Sequence, residues 1–178
     1  MDKLNLYIAD ISSNEDRLVS ISFVNTPAIG LKFTILSQDD DSMTIAAPII
    51  IANKPIFRND KDLGSRNVFF LPETISDIIK KGTYERSIYV YDIEHDGNKI
   101  DDVLLIESFT IDYQRGITGY KGLYGLTDGS WVGKFFIKNK KLIDYIKSNK
   151  VNGLSISAYL TEEKVPLDDA IEIYNKIQ

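Results

Sequence analysis

The sequence predicts a β-rich α+β domain with three helices, and three observations carry that prediction. Short runs such as Leu18-Val19-Ser20-Ile21-Ser22-Phe23-Val24 alternate apolar and polar residues with the period of two that a half-buried strand requires. Turn-forming clusters rich in Asn, Asp, Gly and Pro separate these runs along most of the chain. Three segments instead place apolar residues at helical spacing: Ile75, Ile78 and Ile79; Leu142, Ile143 and Ile146; and Leu167, Ala170, Ile171, Tyr174 and Ile177. At 178 residues, 43% of them hydrophobic, the chain has the size of one domain with a substantial core. Residues 1–178 therefore read as a single domain, without internal repeats.

In chain order, Leu4 to Ala9 and Leu18 to Val24 read as strands, and a hairpin is the simplest join between them. Leu31 to Leu36 alternates before the acidic loop Gln38-Asp39-Asp40-Asp41. Met43 to Ala52 is strongly apolar, and Pro48 inside it predicts a kink, bulge or edge position, because proline donates no ladder hydrogen bond. Lys54 to Arg58 and Val68 to Leu71 are short strands. Pro72 to Gly82 is a helix, with proline and Glu73 in its first turn and a glycine at its end. Ile88 to Glu94 is a strand that delivers His95 to an Asp96-Gly97 turn. Val103 to Asp112, apolar on both faces as far as Glu107, predicts a strand near the centre of the domain. Gly116 to Gly129 is a glycine-rich loop without the spacing of a phosphate-binding loop; it reads as mobile and able to line a substrate groove. Trp131 to Lys138 is a strand, Asn139 caps a helix that ends near Asn152-Gly153, and Pro166 to Gln178 is the last helix.

Composition excludes several kinds of chemistry. There is no cysteine, so disulfides, a thiol nucleophile and thiolate metal ligands are ruled out, and a single histidine rules out a multi-histidine metal centre within one chain. No cofactor or metal is expected. The net charge of −5 argues against nucleic acid as the main partner. No apolar run approaches the ~18 residues of a membrane-spanning helix, and the N-terminus lacks a signal-like core, so a soluble, cytoplasmic protein is expected.

The residues that suggest chemistry lie in Val151 to Tyr159. Leu154, Ile156 and Ala158 alternate with Ser155, Ser157 and Tyr159, so on a strand two hydroxyls share one face. A serine becomes a nucleophile when a base within hydrogen-bond reach takes its proton, and His95 is the only histidine in the chain. Serines tiling a solvated sheet face, and a histidine closing a strand, are the ordinary alternatives. A metal site from Glu94, His95 and Asp96 is disfavoured because adjacent strand residues point to alternate faces.

Several separated motifs occur together in one order. Val24-Asn25-Thr26-Pro27-Ala28-Ile29 comes first, then Ala47-Pro48 through Ile56-Phe57-Arg58, then Val68-Phe69-Phe70 with the helix after it. Glu94-His95-Asp96-Gly97, Glu107-Ser108-Phe109, Gly129-Ser130-Trp131 and Gly153-Leu154-Ser155-Ile156 follow. Taken together, this order resembles the prohead (capsid maturation) serine proteases of phages and prophages, of the PBSX type. The resemblance implies a fold similar to herpesvirus assemblins: a closed or nearly closed β-barrel flanked by about three helices. It implies Ser155 as nucleophile and His95 as general base of a serine endopeptidase. The implied substrates are scaffold protein and major capsid protein, and the protease itself, inside the assembling prohead in the host cytoplasm. A homo-oligomer, dimer or higher, is implied as well.

Assemblins orient the catalytic histidine with a second histidine, which this chain lacks. A carboxylate is the usual substitute, and its loss costs about 10⁴ in rate in the serine-protease triad. Glu107 is the first candidate, on the strand expected to pair with that of His95. Glu162, Glu163 and Glu172 are alternatives, and Ser108 could hydrogen-bond the imidazole. Ser157 is the fallback nucleophile. Two readings from other classes stand beside the enzyme: a catalytically silent capsid or scaffold-associated protein with the protease fold, and a β-rich binding module whose glycine loop holds a ligand.

Overall fold

The computed structural model describes residues 5–61, 64–166 and 169. Its strands are β1 (Leu6–Asp10), β2 (Arg17–Val24), β3 (Thr34–Gln38), β4 (Met43–Ile50), β5 (Ile56–Asp60), β6 (Gly64–Phe69), β7 (Tyr91–Ile93), β8 (Val103–Thr110), β9 (Trp131–Ile137), β10 (Gly153–Tyr159) and β11 (Thr161–Lys164). Helix α1 (Pro72–Tyr84) lies between β6 and β7, followed by a 3₁₀ turn at Ser87–Tyr89, and α2 (Lys140–Lys147) lies between β9 and β10. The strands form three sheets, ordered β11-β1-β6-β5, β10-β2-β7 and β3-β4-β9-β8.

This corrects the expected closed or nearly closed β-barrel flanked by about three helices. Among the described residues eleven strands form three sheets with no closed barrel, and α1 and α2 are the two α-helices. Closure needs every strand laddered on both sides, and here each sheet has two edges. β7 has three residues and runs into a turn with Glu94 and His95 at positive φ, which stops its ladder. The helix expected over 166–178 falls almost wholly outside the described residues. No helix among them is long and apolar enough to cross a membrane.

Long-range pairing overrides several local expectations. β1 and β2 do not form a hairpin: β1 pairs with β11 and β6, and β2 with β10 and β7. The segment between them is closed on itself, with Ser13 N–H donating to Asp16 Oδ2 and Asp16 N–H to Ser13 O. β8 is an edge strand rather than a central one; among the described residues it pairs only with β9, and it leaves Leu104 and Ile106 exposed. β4 carries Pro48 between β3 and β9, and the register shifts between Pro48 and Ile50, a bulge that accommodates the missing N–H.

The core joins two of the sheets. Phe23 of β2, Tyr91 of β7 and Phe135 of β9 meet edge to face, with ring centroids 5.8 to 6.3 Å apart, each such pair worth roughly 0.5–1.5 kcal/mol beyond its buried area. α1 buries Ile75 and Ile78, and Thr74 Oγ1 donates to Ala9 O at 3.1 Å, tying the helix to β1. Gly82 permits the close approach: a Cβ there would lie 2.9 Å from Ile88 Cγ2 and 3.0 Å from Leu18 Cδ2. Asn139 caps α2 as its sequence predicts, Oδ1 accepting from Leu142 N–H at 3.0 Å. The helix then delivers the chain to β10.

Candidate active site

Register alone assembles most of the site. β10 runs antiparallel to β2 with Ser155 opposite Ser22 and Ser157 opposite Ser20, and β7 runs parallel to β2 with Asp92 beside Ser22. Residues directly opposite each other share a face, so Ser20, Ser22, Asp92, Ser155 and Ser157 form one polar surface. Leu154, Phe23 and Ile93, with Ile21 and Tyr91, occupy the other.

His95 reaches this surface from a tight turn. Glu94 and His95 both take left-handed backbone, φ 57° and 56°, and Asp96 N–H donates to Ile93 O at 3.2 Å, the pattern of a two-residue reverse turn. Side chains there cost on the order of 1–3 kcal/mol each and persist where the surroundings over-determine them. Here Glu94 N–H donates to Phe23 O at 3.0 Å, and the Glu94 carboxylate accepts from Asn25 N–H at 2.6 Å. The turn is thereby stitched to the end of β2, and the imidazole comes to lie beside the serines.

The ring nitrogen Nδ1 of His95 is 2.7 Å from Ser157 Oγ and 2.8 Å from Ser22 Oγ. With the proton on Nε2, the Nδ1 lone pair can accept from Ser157, while Ser22 holds the same nitrogen from the neighbouring strand. One strand position away, Ser20 Oγ donates to Asp92 Oδ2 at 2.7 Å, both groups buried, and Asp92 Oδ1 is buried with no partner among the described residues. His95 and Ser157 line a cleft of about 460 Å³, whose other walls include Val19, Phe70, Arg58, Arg66 and Glu162.

The sequence-predicted residues distribute unevenly over this geometry. His95 meets Ser157, the fallback nucleophile. Ser155, 8% exposed, makes no side-chain hydrogen bond to His95 among the described residues and lines a separate void of about 10 Å³ with Ile49, Ile50 and Phe70, room for about one water. Glu107 is elsewhere: β8 pairs with β9, not with β7, and the Glu107 carboxylate is 2.6 Å from Lys134 Nζ and accepts from Tyr120 Oη. The Lys134 and Tyr120 hydrogen bonds hold that carboxyl below its ordinary range. Ser108 Oγ accepts from Trp131 Nε1 at 2.9 Å. Glu162 lines the cleft but is gripped by Arg66 through both carboxylate oxygens. Glu163 is exposed on β11 opposite Ile8, and Glu172 lies outside the described residues.

Sequence reasoning passed over Ser20, Ser22 and Asp92. The available signal was a polar residue at alternate positions of otherwise apolar strands, Ser20 and Ser22 in Leu18 to Val24 and Asp92 in Tyr91 to Ile93. No three His, Cys, Asp or Glu side chains among the described residues are grouped to hold a metal ion. The glycine-rich loop does not line the cleft; it is largely exposed and anchored to the main core by Leu123 and Leu126. Comparison with protein-family models, with curated proteins and with solved structures gives no match for this chain.

Proposed function

We propose that the protein is a serine endopeptidase in which His95 serves as general base, with Ser157 as the nucleophile its geometry favours. The observation that carries this reading is the 2.7 Å contact between Ser157 Oγ and His95 Nδ1 at the wall of an open cleft. Ser157 Oγ would attack the scissile carbonyl as Nδ1 takes its proton; the imidazolium would then return that proton to the leaving amine. Ser22 orients the ring, and the buried Asp92 carboxylate lies on the same sheet face, where it accepts from Ser20. The sequence motifs supply the setting: processing of scaffold and major capsid protein, and of the protease itself, by an oligomeric prohead protease in the host cytoplasm.

Ser155 is the second reading. It stands opposite Ser22, whose hydroxyl touches the same imidazole nitrogen, and it is the serine of the Gly-Leu-Ser-Ile motif. A fluorophosphonate probe, read by mass spectrometry, together with processing of co-expressed capsid protein, separates the options. Ser157→Ala is expected to abolish both labelling and cleavage, and Ser155→Ala to retain them. The reverse pattern moves the nucleophile to Ser155. Labelling and cleavage that survive in both variants overturn the serine mechanism, and a chain that labels at neither serine and processes nothing favours the catalytically silent, head-associated reading.

A further inference from the structure

Another part of the same cleft has no role in bond breaking. In the β5–β6 pair Arg58 stands directly opposite Arg66, an arrangement that sets like charges side by side and is unfavourable without anions between them. Arg66 is 6% exposed and answered by Glu162, which accepts from Nε and from the second terminal nitrogen, the latter at 3.0 Å. Glu162 is the one carboxylate among the described residues that line the cleft. Arg58 makes no ion pair or hydrogen bond among the described residues, and it lines both the cleft and the small void beside Ser155. Arg66 is thus paired with an acid and the more exposed Arg58 is not, among the described residues, on a wall that also includes Val68, Phe70 and Ile156.

We propose that Arg58 is a specificity determinant that receives a carboxylate side chain of the bound polypeptide, so that the protein selects segments carrying Glu or Asp close to the residue engaged by Ser157. A planar guanidinium offers paired N–H donors matched to a carboxylate, and the ligand's acid would do for Arg58 what Glu162 does for Arg66. That the ligand is a polypeptide rests on the peptidase reading above; the unanswered cation in the cleft does not.

The test measures binding apart from turnover. A Ser155→Ala, Ser157→Ala double variant is titrated with fluorescent, end-blocked peptide pools that differ only in a fixed Glu, Gln or Lys. The Glu pool is expected to bind about tenfold tighter than the Gln pool, with Lys weakest, the margin shrinking at high salt as it does for charge pairs. Adding Arg58→Ala should remove the preference for Glu over Gln, Arg58→Lys should restore part of it, and Arg58→Glu should turn it toward Lys. Equal binding of Glu and Gln pools, no measurable binding of any pool, or a preference unchanged by Arg58→Ala overturns the assignment. Wild-type protein that binds Glu pools selectively yet cleaves none leaves the carboxylate site standing and removes the peptidase; cleavage indifferent to acidic residues does the opposite.

Discussion

The two faces of the β10-β2-β7 sheet are equally cut off from water over most of their area and could hardly differ more in content. One face carries Ile21, Phe23, Tyr91, Ile93 and Leu154, and it closes on Phe135 of the neighbouring sheet. The other carries Ser20, Ser22, Asp92 and Ser155, all buried, with Ser157 half-buried at the cleft. Burying an aromatic or branched side chain stabilises by roughly 1.5–3 kcal/mol, whereas a buried polar group left without a partner costs about 1–3 kcal/mol. The polar face escapes most of that cost through Ser20–Asp92 and Ser22–His95–Ser157 hydrogen bonds, yet among the described residues one Asp92 oxygen remains unmatched, as does the Tyr91 hydroxyl on the apolar face. A sheet serving stability alone would put methyl groups there. Burial locates the core, and the chemical character of what is buried locates the site.

That contrast can be broken or sharpened by substitution. The largest effect is expected from His95→Ala, which should lower kcat/KM for peptide or capsid-protein cleavage by about 10⁴ while shifting the urea midpoint little; a large loss of stability with activity intact would erase the distinction between the faces. Phe23→Ala on the apolar face should destabilise by about 3–5 kcal/mol, read from urea unfolding, with any surviving folded protein still reactive toward a serine probe. Ser20→Ala removes the recorded donor to the Asp92 carboxylate, and calorimetry should find a loss of about 1–3 kcal/mol; a neutral result would mean the polar face is better hydrated than its burial implies.

The smallest effect is expected away from both faces. Glu107→Gln breaks a half-exposed ion pair with Lys134 and should cost less than about 1 kcal/mol at neutral pH, leaving cleavage within about twofold of wild type. Because its folded carboxyl is depressed, Glu107 contributes stability above its unfolded value of about 4.3, and that contribution disappears as pH falls through the lower folded value. The melting temperatures of wild type and Glu107→Gln should therefore converge in acid. A ten-thousandfold loss of activity in Glu107→Gln would instead return this glutamate to the mechanism.

Strand and helix positions were largely legible because they depend on local period: α1 starts at Pro72, α2 is capped by Asn139, and the serine strand begins at Gly153, close to where the alternation and cap signals put them. Partner choice was not legible. β1 pairs with β11, some 150 positions away, and short alternating strands carry no label for their neighbours, so the β1–β2 hairpin, the central place of β8 and the barrel were all misassigned. The site followed the same division. His95 and the Ser155–Ser157 pair stand out as residue types in a pattern, but which serine the imidazole meets depends on cross-strand register and on a turn centred two residues before the expected Asp96-Gly97 turn. Ser22 and Asp92 become visible only once β2 lies between β10 and β7.

The handedness of the backbone at position 95 has a bearing on how this chain tolerates change. An L-residue held at φ 56° resists the folded state, and glycine, which adopts that conformation freely, would relieve it. Screens that reward heat resistance alone should therefore drift toward glycine at 95, trading the sole imidazole, and the base proposed above, for a hardier polypeptide. Anyone improving this scaffold's durability would do well to fix that codon first and let the remainder of the loop vary.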